Sequence, residues 1–579
     1  KSGEVAIPEI QRPFVWKATK VRDLIDSLYK GYPVGYIITW RNPDVKLKNG
    51  QLSAGKKVLI DGQQRVTALT AAIVGQRVLN DNYKEIFIRI SFNPLTETFE
   101  VLNKAIENSS EWINNINPII NDEISITKAI KEYLAVNPGQ PEDLIEERIE
   151  NLKRIKNQQV GIIELDHSLD IDTVTDIFIR INQTGAVLSN ADFVMSKIAA
   201  DEQHGGNKMR KMIDYFCRLV VDKDFNKQVV DNDKDFANHE YYKIIKWMAT
   251  GDDDLYVPTY IDFLRVAFTY KFSRGKFSDL VALLSGRNFE TRTYEDEIAE
   301  ESFKKLSDSL KDFANQTNYQ RFIMLVKSTG LISHKLISSK NSINFSYALY
   351  LKLREENKLP DAEVQHCVKR WLVLSLLISR YSGSADSTID EDIKQINEKG
   401  IGAYLTIMEQ THLGEGFWDF GLVSVLETSS VNNNAYNIYL AAQCNINAKA
   451  FLAKSMKINT LIEQRGDVHH IFPKKYLMDN GFEQKLYNQV ANYVYTEQST
   501  NIKIGKMSPN EYFKKIKDQI AKSTFDITTI NDEKLLFENL KENEIPVSLL
   551  TNTHENYEDF LLERRKLMAK KIKKYYQSL

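Results

Sequence analysis

Leu59-Ile60-Asp61-Gly62-Gln63-Gln64-Arg65-Val66-Thr67-Ala68-Leu69 joins an apolar run, an Asp-Gly step and a stretch with helical spacing. The apolar run reads as a strand ending at Asp61, Gly62 permits a tight turn or a close backbone approach, and a helix begins immediately after it. Strand–turn–helix units of this kind build α/β domains. Working outward, strands are predicted at Gly35 to Trp40, Lys57 to Asp61, Glu85 to Ser91 and Val160 to Asp166. Helices are predicted at Ala18 to Tyr29, Gln64 to Val74, Glu142 to Ile155 and Ile171 to Ile181, where apolar residues recur at three- and four-residue intervals. Between them, Asn42 to Lys56 is polar and contains glycine, as an exposed loop would.

After about Ala200 the strand signals fade. Long helical patterns such as Lys208 to Val221 and Val364 to Ser379 dominate to roughly Asn447, and no repeat of fixed period is visible. Asp222 to Asp235 and Ser382 to Asp392, rich in charge and small polar residues, read as loops. The expected fold class is α+β and predominantly helical, in three domains: residues 1–200, a helical middle at 201–447, and a C-terminal domain at 448–579. A chain of 579 residues is long enough for three or four cores.

Hydrophobic residues make up 42% and charged residues 27%, as in soluble globular proteins, and no apolar run is long enough to span a bilayer. The longest apolar stretch, Trp371 to Ile378, suits a buried helix, and no membrane partner is expected. No charged n-region with an apolar h-region follows Lys1, so no signal peptide is expected, although a short piece of chain is expected before it. Cys217, Cys367 and Cys444 form no Cys-x-x-Cys pair, which speaks against a zinc cluster or disulfide framework and fits the cytoplasm. A net charge of −2 confines any nucleic-acid surface to local patches. The clearest basic run is Arg564, Arg565, Lys566, Lys570, Lys571, Lys573 and Lys574, interleaved with Leu561, Leu567, Met568 and Ile572 in a helical pattern. It reads equally as a solvated helix face or as a phosphate-binding one.

Asp467-Val468-His469-His470-Ile471-Phe472-Pro473 is the chemical motif of the last third. Adjacent histidines alone mean little, because most histidines serve structure. Here Val468, Ile471 and Phe472 suit a short strand that Pro473 ends. Successive side chains in a strand point to opposite faces, so two histidines at one site require a bend or a strand end. Phosphodiester hydrolysis needs a base for water and a cation for the developing charge, and an imidazole suits the first role. Asn492 and Asn501 lie downstream, where they would otherwise cap turns and helices. Asp467 either orients a histidine through a hydrogen bond or binds metal, or is a turn residue.

These residues resemble the HNH, or His-Me finger, nucleases, whose ββα-metal unit carries a histidine pair on its first strand, an asparagine in the turn and an asparagine or histidine on the helix. The resemblance implies His470 as general base, His469 and Asn501 as metal ligands, and Asn492 as the loop-organising member of the catalytic set. The gap from His470 to Asn492 is longer than in compact HNH units. Magnesium or manganese is the implied metal, since thiolate ligands are lacking.

The N-terminal third holds three unusual segments: Ile7 to Trp16 with Gln11 and Arg12, the Asp61-Gly62-Gln63-Gln64-Arg65 motif, and Asp176 to Gly185 with Arg180 and Asn182. Free N–H groups after Gly62, with the donors of Gln63, Gln64 and Arg65, suit a phosphate, although the Gly-Lys-Ser/Thr element of a Walker A loop is absent. An Asp-Gly turn before a helix is common, and Arg65 has an equal claim to a structural ion pair. Arg12 likewise suits a surface ion pair, Trp16 reads as core, and Phe178 and Ile181 as a buried helix face.

Together the segments resemble the N-terminal family of GmrSD-type restriction systems, with a ParB- and sulfiredoxin-like fold. That resemblance implies a nucleoside triphosphate (GTP, UTP or ATP) held by Asp61, Gly62, Gln63, Gln64 and Arg65, with Gln11, Arg12, Arg180 and Asn182 as neighbours. The two resemblances together imply a nucleotide-regulated DNA endonuclease or nickase restricting foreign or modified DNA, with a homodimer among the assemblies considered. Two other readings remain: a nucleotide- and DNA-binding sensor with an inactive nuclease fold, and an HNH RNase toxin.

Overall fold

Lys57–Asp61 is a strand whose Leu59 side chain is fully buried, and it stops at Gly62, whose φ of 94° lies in the left-handed region that glycine enters at least cost. The helix Gln63–Leu69 starts there and runs on as a π-helical turn, Thr70–Val74, ended by Gly75 at φ 76°. The computed structural model of the protein describes residues 5–6, 14, 16–40, 57–79, 85–166, 169, 177, 190–201, 203–251, 255–464, 466 and 468–579. Among these the chain is predominantly helical with few strands, an α+β fold. It gathers into two compact units, Lys1–Gly251 with Leu280–Lys304 and Asp252–Asp279 with Lys305–Leu579. No helix among the described residues is long and apolar enough to cross a membrane.

The first unit is built on a four-stranded mixed sheet in the order Val5–Ala6, Lys57–Asp61, Ile37–Trp40, Ile162–Leu165. The first pair and the last pair are parallel and the central pair is antiparallel. Ala18–Tyr29 is a helix because Val21, Leu24, Ile25 and Leu28 recur at helical spacing and bury one face; Glu142–Arg154 buries Ile145, Ile149 and Leu152 in the same way. These side chains share a core with Ala68, Ala71 and Ala72 of the helix that follows Gly62.

Two expectations change in this unit. Glu85 to Ser91 is not one strand: Glu85–Ile86 pairs with Val78–Leu79, while Ile90–Asn93 forms a hairpin with Thr98–Val101. The Asn93 side chain accepts from the backbone N–H of Leu95 (2.8 Å) and Thr96 (3.3 Å), an Asx turn that folds the chain back at Pro94. Asp222 to Asp235 contains the helix Phe225–Asn232, because Phe225 and Val229 lie one turn apart and bury against the helix Gly206–Val221. Asn42 to Lys56 lies outside the described residues, as does Ile171 to Ile181 apart from Ile177.

In the second unit long helices stack in sequence. Lys340–Glu356 packs against Tyr260–Phe272 and Asp361–Leu377, and Asp361–Leu377 packs against Asn434–Asn445, which rests on the C-terminal helix Tyr557–Ser578. Trp371, at the start of the longest apolar stretch, is fully buried. Ser382 to Asp392 is the start of a helix, Ala385–Lys399, rather than a loop. The reason is a polar core: Asp392 is fully buried and accepts from Arg380 Nη2 (2.7 Å), Tyr381 OH (2.8 Å) and Tyr404 OH (2.8 Å). A composition scan reads that aspartate as a solvent residue, whereas three donors make it an anchor. Asp392→Ala leaves Arg380 and two hydroxyls without their acceptor and is expected to cost about 3–5 kcal/mol of stability in urea unfolding; a loss below about 1 kcal/mol would deny the anchor this role.

Candidate functional site

His469–His470 is a two-residue strand that pairs antiparallel with Tyr493–Val494, His470 opposite Tyr493 and His469 opposite Val494. Three residues after the second strand comes the helix Gln498–Ile504, so the order is strand, strand, helix. The long interval between the strands holds two short helices, Lys474–Asp479 and Gln484–Tyr487, the first beginning directly after Pro473. Asp467 lies outside the described residues.

The pairing is fixed by Asn492, which is fully buried. Its Oδ1 accepts from the Phe472 N–H (2.8 Å), and its Nδ2 donates to the carbonyls of Phe472 (3.1 Å) and Tyr487 (3.1 Å). Its own carbonyl accepts from the Ile471 N–H at 2.9 Å. One side chain therefore ties the end of the histidine strand to the end of the second inserted helix. With its side chain so engaged, Asn492 acts by positioning.

Behind this loop stands Arg564 of the helix Tyr557–Ser578, 1% exposed. Its Nη1 donates to the carbonyls of Ala491 and Tyr493, both at 2.8 Å, and its Nη2 to Asn543 at 3.3 Å. The guanidinium thus holds the backbone on either side of Asn492, a use of its planar fork that a lysine could not reproduce. Arg565 pairs with Glu427 at 3.2 Å, and Lys571 with the buried Glu544 at 2.8 Å, whose carboxyl burial pushes up in pKa. Much of the basic run is therefore structural, while Lys566, Lys570 and Lys574 are exposed at four-residue spacing. The sequence signal for Arg564 is its place in the apolar register of Phe560, Met568 and Ile572.

His470 is half-buried, its ring edge-on to Tyr493 at 5.2 Å between centroids, with Tyr487 at 6.5 Å. Its Nε2 lies 3.0 Å from Asn488 Oδ1. An amide oxygen only accepts, so Nε2 carries the hydrogen and the neutral ring keeps its lone pair on Nδ1. Burial lowers the His470 pKa, Lys474 and His469 add to the lowering, and the bond to Asn488 opposes it. Asn488 was missed in the sequence, because nothing in its neighbours marks it and it reaches the histidine only through the fold of the insert.

His469 is half-buried on its strand, and Asn501 is half-buried on the helix Gln498–Ile504. Among the described residues no group of three or more His, Cys, Asp or Glu side chains could hold a metal ion. His469 on the first strand and Asn501 on the helix would offer one imidazole and one amide oxygen, two neutral donors that leave most of a divalent cation's shell to water and substrate oxygens.

In the first unit Asp61 and Arg65 form an ion pair at 2.7 Å, and Arg65 Nη1 donates to the Val34 carbonyl at 3.2 Å. Gln63 and Gln64 are buried at 6% and 9% exposure, while both members of the ion pair keep about a fifth of their side-chain surface in contact with solvent. A Cβ at Gly35 would lie 2.3 Å from Arg65 Nη1, so that glycine lets the guanidinium pass. Gln11, Arg12, Arg180 and Asn182 lie outside the described residues.

Residues 1–199 match the family described as GmrSD restriction endonuclease, N-terminal domain. Over 621 residues the chain is 23% identical to an uncharacterized protein of Methanocaldococcus jannaschii, covering 98% of this chain and 96% of that protein. The family match covers the first third of the chain. It contains the Asp61 to Arg65 segment and ends well before His469.

Asn492→Ala opens three backbone groups at once and is expected to destabilise the two-strand unit by about 2–4 kcal/mol. Native-state hydrogen exchange would report this as faster exchange of the Phe472 and Ile471 amides, and unchanged protection would mean that the loop is held by other contacts.

Proposed function

We propose that this chain is a metal-dependent, HNH-type DNA endonuclease or nickase of a GmrSD-like restriction role, with a nucleoside triphosphate regulating it through the N-terminal segment. The observation that carries the reading is His470, kept in its neutral form by burial on a strand–strand–helix unit with Nε2 engaged by Asn488. The match of residues 1–199 to a restriction endonuclease domain supplies the substrate class, DNA.

His470 Nδ1 takes a proton from water as the water oxygen bonds to phosphorus, and the bond from phosphorus to the leaving 3′-oxygen breaks. Asn488 holds the ring so that the lone pair stays on Nδ1, the nitrogen left to take the proton. Asn492 and Arg564 keep the strand in register. His469 and Asn501 are the residues to hold magnesium or manganese, which when bound offsets the charge that develops on the phosphate and leaving oxygens. Asp61, Gly62, Gln63, Gln64 and Arg65 are the proposed nucleotide-phosphate residues, with Gln11, Arg12, Arg180 and Asn182 beside them. Foreign or modified DNA is the proposed target.

A base must be neutral to work, so nicking is expected to rise with pH through a midpoint below the ordinary histidine value and to fall as acid protonates the ring. His470→Ala is expected to lower the rate about 10²–10⁴-fold with melting temperature unchanged. Asn488→Ala removes a contact that favours the charged ring, so it moves the midpoint to lower pH while slowing the reaction. Equal cleavage by wild type and His470→Ala would overturn the base assignment, and cleavage of RNA but not DNA would overturn the substrate class. Arg65→Ala is expected to abolish phosphate release from GTP, UTP or ATP; unchanged turnover would remove the nucleotide site.

A further inference from the structure

In the second unit, apart from His470 and its partners, a cavity of about 590 Å³ opens between the ends of Asp361–Leu377 and Ile401–His412 and the segment from Val425 to Asn434. Its size falls in the ~300–1,000 Å³ range of small-molecule sites. Leu377, Ile378, Val425 and Phe417 give it apolar walls. Phe417 sits on a π-helical turn, Phe417–Gly421, a rare backbone form that gathers at functional sites.

The polar lining consists of amides, a hydroxyl and one imidazole, with no carboxylate, ammonium or guanidinium. Asn434 and Ser379 are committed to the frame: Asn434 Nδ2 donates to the Leu376 carbonyl (3.0 Å) and to Ser379 Oγ (2.8 Å). Ser379 has a φ of 51°, a left-handed position that glycine would fill at lower cost, and its hydroxyl serves as that acceptor. Asn432, by contrast, is exposed, and His412 is half-buried; neither makes a side-chain hydrogen bond among the described residues. His412 is kept neutral by burial and by the nearby Arg380 cation, which leaves it one donor and one acceptor.

We infer that this cavity binds an uncharged polar heterocycle, a nucleobase, with Phe417 and the aliphatic walls against its faces and His412 and Asn432 at its polar edge. With no cationic side chain in the lining to offset a phosphate's charge, an uncharged ligand suits it better, and apolar walls with a few donor and acceptor groups are how extruded bases are held. The cavity wall is also tied to the proposed nuclease unit. The Thr428 carbonyl accepts from the Val490 N–H at 2.8 Å, and Glu427 pairs with Arg565 at 3.2 Å, so the wall meets the loop that carries Asn488 and Asn492. The base can come from a free nucleoside or from a DNA strand; only the second source rests on the nuclease reading.

The test is equilibrium binding by the full chain carrying His470→Ala, so that no cleavage intervenes. The probes are adenosine, guanosine, cytidine and thymidine, and a duplex oligonucleotide with one unpaired base beside its fully paired counterpart. Val425→Trp fills the cavity from a position that is 45% exposed and should leave the melting temperature unchanged. Binding of a nucleoside, or the preference for the unpaired base, is expected to weaken at least about tenfold in that variant and by a smaller factor in His412→Ala and Asn432→Ala. Nucleoside binding assigns the site to a free ligand, and an unpaired-base preference assigns it to DNA. The proposal is overturned if no probe binds, or if Val425→Trp and wild-type cavities bind alike. Failure of the nuclease reading is distinguishable, since it appears as absent metal-dependent cleavage by the unmutated chain while base binding persists.

Discussion

A single amide, the side chain of Asn492, bonds three backbone groups in a place closed to water, and the histidine strand takes its position from it. Two residues of strand cannot define a register by ladder bonds alone, because so short a pair gains little and slips easily. Asn492 supplies the missing constraint from the side. Arg564 then fixes Asn492 by holding the carbonyls that flank it, and it does so from the last helix of the chain. The candidate site therefore depends on a residue 94 positions beyond His470 and cannot be cut out as a short peptide.

The cation at the centre of this frame is buried with carbonyl oxygens, rather than a carboxylate, on Nη1 and Nη2, while its Nε has no partner among the described residues. Glu544 lies close enough for Arg564 to lower its pKa, against the larger raising effect of burial, and Lys571 donates to the same carboxylate. Such buried networks are costly when broken. That arrangement leads out through the loop at Tyr487 to Val490 to the Asn488 contact with His470, so packing in the C-terminal helix and the protonation of one imidazole belong to one connected structure.

What the sequence made legible was what repeats or what touches its neighbours in the chain. Ala18–Tyr29 and Lys57–Asp61 were readable to the residue, since their apolar spacing alone sets them, and the Asp-Gly step marked the turn before the helix. The hairpin at Pro94 and the helix Ala385–Lys399 escaped because their cause is tertiary: an Asx turn that supplies a partner strand, and an aspartate made apolar in effect by three donors. In the site, His470 was visible in its motif, whereas Asn488 was hidden in an insert of two helices. Arg564 was visible as a charge but read among its basic neighbours, when its place in the apolar stripe was the informative fact.

Proton abstraction by His470 depends on which ring nitrogen is protonated, since a base needs a bare nitrogen and Asn488 engages Nε2. Long-range ¹⁵N–¹H correlation of the selectively labelled protein, titrated across the histidine range, reads both the tautomer and the pKa of that residue. The account predicts a proton on Nε2, a bare Nδ1, and a pKa below the ordinary histidine value. A proton on Nδ1, or a pKa raised above that value, would contradict it.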